Sequence, residues 1–409
     1  MRRVKSFRRK SPAEIVLHCF VSGIFMIVAL SYIYILVWAV QSALKTHNEI
    51  VMSPFALPTT WNWGHFFEVF TKLEANNVKF LGMLEAFNKE HPEYNVYYNA
   101  SDVVADYCRA AITAKQLLTD KVGMAGYRDM NLYGTLYDGL SLKKETGVEI
   151  ETFEMLEIQQ RYEKLTEEEK REIVNNRILK WNFLKPANDD AMMMAAGYYL
   201  AVKQIAEERN YKAISLKDVD GMKKLCGFPP APIFMLLSED GYTTVPENDS
   251  LGAVTQLMMK NLTGQLAGYL EFYEFFDNSV LAGVPDFVAA DMVDGDTYTV
   301  IPAAFGALNQ GILNVSKVKT GTVTMSRLTY MNGKYIMQMV LGVGQTPPKW
   351  EECGWDQPAP QLSALEIELP SVERFADNVA CQHYIITYGD NRAKIRNLCE
   401  ILEIEVFEM

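Results

Sequence analysis

An uncharged run near the N-terminus is the feature that most constrains this chain. Residues 15–44 contain no Asp, Glu, Lys or Arg, and six of the first ten residues are Lys or Arg. As a helix these 30 residues would be about 45 Å long, and the hydrocarbon core of a bilayer is about 30 Å thick. The run predicts one transmembrane helix rather than a signal peptide, whose apolar core is shorter. The preceding basic residues place the N-terminus in the cytoplasm by the positive-inside rule.

Charge divides the chain into a basic head and an acidic body. The net charge is −12, but residues 1–50 carry +5 and the remainder carries −17. An acidic body argues against nucleic acid as a partner, and its balance of apolar and charged residues is that of a globular protein. We predict three parts: a membrane segment over 1–84, a middle domain over 85–225 and a C-terminal domain over 226–409.

The middle domain alternates between the two kinds of regular structure. Short apolar runs predict strands at 121–126, 148–153 and 213–216. Helical patterns lie between them, at 132–142, at 165–178 behind a Thr166 capping signal, and at 188–208 behind Asn188. Strands alternating with helices predict βαβ units and a largely parallel sheet. The fold expected for this part is therefore α/β.

The C-terminal domain has a different pattern. Beyond residue 297 we expect strands, with no further helix until a final one at 391–401. Asn332-Gly333 lies between two alternating runs and predicts a tight hairpin, because both central positions of a type I′ turn need positive φ. The predicted class for the whole body is α/β plus α+β, with a parallel-sheet middle domain and a strand-rich C-terminal domain.

Three side chains of the body are candidates for chemistry. Glu247 lies in a loop before an apolar helix, where an acid near the helix start is also common. Glu271 interrupts an aromatic, strand-prone run, and a buried carboxylate there needs a partner. His383 is the one histidine beyond residue 95 and begins a predicted buried strand, where a hydrogen-bonded core histidine is the commoner case. Two carboxylates and an imidazole would suit Mn²⁺ or Mg²⁺.

From about residue 95 to the end, the chain resembles the L-fucose/L-arabinose isomerase family. The likeness rests on the order and spacing of modest motifs over some 300 residues. These motifs are 110–126, 133–138, 144–149, 226–230, 246–249, 269–273, 381–384, 387–390 and 402–406.

This resemblance implies a function and a set of site residues. Glu247, Glu271 and His383 would bind Mn²⁺, and Glu247 and Glu271 would be the acid/base pair of aldose–ketose isomerisation. The substrate would be an aldopentose or a 6-deoxyaldohexose, and the protein a cytoplasmic homo-oligomer. Val284 stands where the arabinose branch has a further histidine ligand. The family's N-terminal domain, which completes the pocket of a neighbouring subunit, is replaced by unrelated sequence.

The replacing sequence, about residues 10–84, is similar to the start of sugar-type ABC-transporter permeases. The similarity rests on 42–46 at the helix end, 54–63 with its Pro and Trp-Asn-Trp, and the aromatic run at 65–70. It leaves three alternatives open: a membrane component of a sugar transporter, a membrane-tethered sugar-binding module without catalysis, or a fusion of two sugar-utilisation sequences near 80–95. The predicted topology puts the body outside the cytoplasm, which conflicts with the family's location.

Overall fold

The structure describes four continuous stretches of the chain. The structure is a computed structural model and describes residues 98–283, 288–303, 311–348 and 363–409, with isolated positions between 22 and 57. Apart from those positions, the predicted membrane helix over 15–44 and the permease-like segment lie outside the described residues, as does Val284. No helix in the described part of the chain is long and apolar enough to span a bilayer.

Contacts divide the chain into two units, Met1–Val103 and Val104–Met409. The sheets and the candidate site described below belong to the second unit. The boundary predicted between residues 225 and 226 falls inside this unit and stays a prediction.

The described residues form nine α-helices. They are α1 (Tyr98–Leu117), α2 (Gly139–Thr146), α3 (Met155–Tyr162), α4 (Glu167–Asn176), α5 (Asp189–Arg209), α6 (Ala231–Glu239), α7 (Ser250–Thr263), α8 (Val372–Asn378) and α9 (Arg392–Ile401). A 3₁₀ turn at Tyr133–Thr135 and a π-helical turn at Asp218–Lys223 also border the site.

The strands form one parallel sheet, one large antiparallel sheet and one small sheet. They are β1 (Lys121–Ala125), β2 (Glu149–Phe153), β3 (Asn182–Phe183), β4 (Ala213–Leu216), β5 (Thr243–Val245), β6 (Gly268–Phe275), β7 (Ser279–Gly283), β8 (Thr299–Ile301), β9 (Leu313–Asn314), β10 (Gly321–Met331), β11 (Lys334–Gln345), β12 (Ala364–Glu368), β13 (His383–Tyr388) and β14 (Glu405–Glu408).

The parallel sheet confirms the α/β prediction for the middle of the chain. Its order is β2-β1-β4-β5, and each neighbouring pair is parallel. The helix α4 begins with the predicted capping box, in which Thr166 and Glu169 satisfy each other's backbone N–H groups. Asn188 caps α5 as expected. Because all four strands run the same way, their carboxyl ends meet at one edge.

The antiparallel sheet closes into a barrel. Its order is β10-β13-β6-β7-β12-β11, and β11 also pairs with β10, so the six strands form a ring, with β14 added parallel to β11. The hairpin between β10 and β11 turns at Asn332 and Gly333, whose φ values are +53° and +78°. The strand-rich C-terminal region and its hairpin are therefore confirmed. Closure leaves few sheet edges exposed.

Two expectations about helices were wrong. The region beyond residue 297 contains α8 as well as the final helix, and Ser371 caps α8 by accepting from the N–H of Arg374. The pattern at 132–142 does not form one helix, because the Asp138 side chain accepts from Ser141 N–H and starts α2 only at Gly139. The preceding residues form the 3₁₀ turn instead, which leaves a loop beside the site.

Helix α7 joins the two sheets. It packs against β4 and β5 of the parallel sheet and against β10 and β13 of the barrel. Its residues from Ser250 to Met259 are buried, as expected for a helix covered on more than one side. Its N-terminus follows directly from β5, so α7 brings the carboxyl edge of the parallel sheet next to the barrel strands.

Candidate functional site

The candidate site lies at the carboxyl ends of the parallel strands, where ligands of open α/β sheets usually bind. The loop after β5 crosses this edge. Asn248 is 1% exposed, and its side-chain amide donates to the carbonyls of Ala125 (2.8 Å) and Tyr127 (2.7 Å) after β1. Its own N–H donates to the carbonyl of Leu216 at the end of β4. The loop is thus attached to two neighbouring strands.

Glu247 is held in an unusual backbone conformation in this loop. Its φ is +63° and that of Asn248 is +48°, a left-handed pair that costs about 1–3 kcal/mol per residue without compensation. The N–H of Glu247 donates to Asp218 Oδ1 at 2.7 Å. Asp218, itself fully buried, also pairs with Lys223 Nζ at 3.3 Å. These contacts fix the direction of the Glu247 side chain, which is 8% exposed.

His383 and Glu247 come together from opposite sides of the site. His383 begins β13 and is 2% exposed, which confirms its predicted place at the start of a buried strand. Its Nε2 lies 3.5 Å from Glu247 Oε2. The residues belong to the barrel and to the loop after β5, so their proximity depends on the packing of the two sheets.

Glu271 lies beside His383 across a strand pair. The two residues are directly opposite in the antiparallel pairing of β6 with β13, so their side chains leave the same face of the sheet. Glu271 Oε1 accepts from Gln382 Nε2 at 3.4 Å. The structure therefore places Glu247 beside His383 by direct side-chain approach and Glu271 opposite His383 by strand register. Among the described residues, the three together are not a group whose donor atoms all lie within 4.8 Å of one another.

The His383 ring is neutral at ordinary pH. Burial lowers its pKa to about 3, with the positive charge of Arg327 acting in the same direction and Asp249 opposing it. The ring stacks on Tyr269, with centroids 4.5 Å apart and planes 18° apart. A neutral, oriented imidazole is the form that binds a metal ion.

Asp249 and Arg327 form a fully buried pair next to His383. Arg327 Nη2 donates to Asp249 Oδ1 at 2.8 Å, and Arg327 Nη1 donates to Asp249 Oδ2. Tyr269 OH donates to Oδ2 at 3.0 Å, and Gly252 N–H donates to Oδ1 at 2.9 Å. Burial alone would raise the pKa of Asp249, but Arg327 and the Gly252 N–H lower it, so the carboxylate stays ionised.

A second cluster shares His383 with the predicted set. Donor atoms of Asp249, Cys381 and His383 lie within 4.8 Å of one another. Asp249 already accepts four hydrogen bonds, the full capacity of a carboxylate. Burial raises the pKa of the Cys381 thiol despite the opposing effect of Arg327, which disfavours the thiolate that binds metals. These three residues therefore have the spacing of a metal site but a poor donor chemistry for one.

The predicted residues suit a hard divalent cation. Glu247 and Glu271 would supply carboxylate oxygens and His383 a neutral nitrogen, a mixed donor set compatible with Mn²⁺. The close approach of Glu247 Oε2 to His383 Nε2 is an arrangement that a shared cation would stabilise.

Sequence reasoning did not identify Arg327 as part of this region. A signal was present, since Arg327 is a charged residue within the region beyond residue 297 that was predicted to be rich in strands. Asp249 was noted only as part of the 246–249 motif.

Compared with models of known protein families and with curated protein sequences, the chain has no match. The resemblances to isomerases and to permeases therefore stay predictions.

Proposed function

We propose that the body of this protein is a metal-dependent aldose–ketose isomerase, with Glu247, Glu271 and His383 at its centre. The observation that carries the proposal is the 3.5 Å approach of His383 Nε2 to Glu247 Oε2, with Glu271 opposite His383 in the strand pairing. Glu247 and His383 are far apart in sequence, and Glu247 lies at the edge where α/β proteins commonly bind ligands, which supports the proposal.

The reaction moves hydrogen within the sugar and needs no external oxidant. One carboxylate removes the proton from C2 of the aldose, which gives an enediol, and a proton is returned at C1. The hydroxyl proton of O2 passes to O1, so the aldehyde becomes an alcohol and C2 becomes a ketone. Glu247 and Glu271 would act as the acid/base pair. A divalent cation held by Glu247, Glu271 and His383 would supply stabilisation of negative charge on the substrate oxygens.

The substrate class follows from the family resemblance alone. It implies an aldopentose or a 6-deoxyaldohexose, and an assembly of identical subunits.

Attachment to a membrane through residues 15–44 is a separate proposal that rests on the uncharged run. Alkaline carbonate extraction of cell membranes tests it: the full chain should stay in the pellet, and a variant lacking residues 1–50 should be released.

A direct test measures ketose formation from L-arabinose and L-fucose by the purified full chain, with and without Mn²⁺. We expect Mn²⁺-dependent turnover that falls at least 10³-fold in Glu247→Gln and in Glu271→Gln, in line with loss of a general acid or base of this kind. Glu274→Gln is the matched control, because Glu274 lies three residues along β6 and is exposed.

The other outcomes separate the alternatives. Sugar binding without turnover or metal dependence would contradict the proposal and favour a non-catalytic binding module. Absence of turnover together with recovery of an ABC ATPase and a permease partner in a pull-down would favour a transporter component.

A further inference from the structure

The residue Arg327 connects the two loops that border the candidate site. Its Nη2 donates to the carbonyl of Gly134 at 3.0 Å as well as to Asp249. Gly134 lies in the 3₁₀ turn after β1, and Asp249 lies in the loop after β5. One guanidinium group on β10 thus links segments that are more than a hundred residues apart in sequence.

Close packing makes this arrangement sensitive to small displacements. A Cβ added to Gly252 would lie 2.6 Å from Asp249 Oδ2 and 2.8 Å from Arg327 Nη1. A Cβ added to Gly134 would lie 2.9 Å from Cys381 Sγ. The Gly134 segment therefore rests directly on the half-buried Cys381 thiol, two residues before His383.

A buried ion pair of this kind is poorly explained by stability alone. Its desolvation offsets much of the attraction, and apolar replacements are often as stable. The Arg327 Nε–H is also buried with no hydrogen-bond partner among the described residues, which is unfavourable. What the pair supplies is fixed geometry, because a guanidinium and a carboxylate bind each other in a defined plane.

We infer that Arg327 is a positioning residue: with Asp249 and Gly134 it holds the loops after β1 and β5 in one arrangement and thereby presents Glu247 to His383. The inference rests on the proposed function only in treating Glu247 and His383 as the site. Arg327 acts on the loops, and no contact of Arg327 with Glu247 is required.

The test measures alkylation of individual cysteines by iodoacetamide in the full chain, read out by peptide mass spectrometry. In Arg327→Met we expect the Cys381 rate to rise at least tenfold, because the Gly134 segment is released from it. Exposed Cys108 should react as in the wild type, and fully buried Cys399 should stay protected. Arg396→Met, an exposed ion-pair arginine on α9, is the matched control and should change none of these rates.

A conservative variant guards against a simple folding defect. Arg327→Lys keeps the charge but loses the planar fork, so we expect an intermediate Cys381 rate with Cys399 protected. An unchanged Cys381 rate in Arg327→Met, with Cys399 protected, would overturn the inference. So would loss of Cys399 protection in both variants, because Arg327 would then be a general stability element.

A second experiment measures Mn²⁺ affinity from the electron paramagnetic resonance signal of unbound Mn²⁺. We expect Arg327→Met to weaken Mn²⁺ binding at least tenfold and Arg396→Met to leave it unchanged. The link to Glu247 would be overturned if a folded Arg327→Met variant showed faster alkylation of Cys381 but bound Mn²⁺ with wild-type affinity. If the wild type bound no Mn²⁺, the proposed function would fail, and the cysteine rates would still decide whether Arg327 positions the loops.

Discussion

At the residue scale, the candidate site depends on two contacts: the 3.5 Å approach of His383 Nε2 to Glu247 Oε2, and the buried pair of Arg327 with Asp249. Glu247 and His383 stand out locally in the sequence, as an acid after a proline in a loop and as the only histidine beyond residue 95. Arg327 and Asp249 gain their role from contact with each other across 78 positions. No local pattern encodes which buried aspartate will meet which buried arginine, so this part needed the fold.

Gly252 gives a prediction about the packing around that pair. Gly252→Ala should lower the free energy of unfolding by about 1–3 kcal/mol, the usual effect of overpacking. The added methyl group would collide with the side chains of Asp249 and Arg327. These side chains are buried and bonded to each other, so they cannot easily move aside. Urea unfolding followed by circular dichroism measures this.

Gly139→Ala provides the control for that substitution. A Cβ there meets only Tyr137, at an ordinary 3.5 Å, and alanine favours a helix over glycine. Its stability should match or slightly exceed the wild type. Equal stability of both variants would contradict the described packing of Gly252.

At the element scale, elements with local signals were predicted and those defined by their surroundings were missed. The capping box of α4, the Asn188 cap and the Asn332-Gly333 turn are encoded within a few residues, and all three are present. The short helix α8 has no long periodic pattern, and α2 begins late because Asp138 caps it. Pairing of β6 with β13, which places Glu271 opposite His383, involves residues 112 positions apart.

The capping box of α4 can be tested directly. Thr166→Ala removes the side-chain acceptor of Glu169 N–H and should cost about 1 kcal/mol of stability. Thr166→Ser keeps the hydroxyl and should stay within a few tenths of a kcal/mol of the wild type. Equal losses in the two variants, measured by urea unfolding, would show that the hydroxyl is not the stabilising group.

Asp240 after α6 gives a prediction about pH. Burial opposes ionisation of this carboxylate, but hydrogen bonds from Lys203 and Tyr199 and the charge of Arg177 lower its pKa below the ordinary value. The stabilisation from ionised Asp240 is therefore complete above the unfolded pKa of about 3.9 and is lost as the pH falls through the lower folded pKa.

Asp240→Asn should thus destabilise the protein by about 1–3 kcal/mol at pH 7, as for lost hydrogen bonds to a charged group. The difference from the wild type should shrink as the pH falls below about 3.9. Urea unfolding of both proteins from pH 7 to pH 3 measures it. A difference that grows on acidification would contradict the assigned pKa direction.

At the scale of the whole molecule, the described body combines a parallel sheet, a closed barrel and the shared helix α7. Strand order within the barrel and its closure through β10 and β11 could not be read from sequence, because strand partners are separated by long stretches of chain. The class of each region was predictable from its alternation of elements. The site depends on both sheets, so ligand binding should stabilise the body as a unit.

Metal-linked stability follows from this dependence. Mn²⁺ at about 100 times its dissociation constant should add about 2.7 kcal/mol to the free energy of unfolding if it binds only the folded state. Removal of the metal with EDTA should reverse the gain, and His383→Gln should abolish it. Thermal unfolding at matched ionic strength, with Ca²⁺ as a comparison ion, measures the effect; an equal gain in His383→Gln would place the metal elsewhere.

The most direct test of the account is electron spin echo envelope modulation of Mn²⁺ bound to the full chain. With Glu247, Glu271 and His383 as ligands, the wild type should show modulation from one directly bound ¹⁴N nucleus. His383→Gln should lose that modulation, whereas Glu274→Gln should keep it. Nitrogen modulation that persists in His383→Gln, or Mn²⁺ bound with no nitrogen ligand in the wild type, would contradict the proposed site.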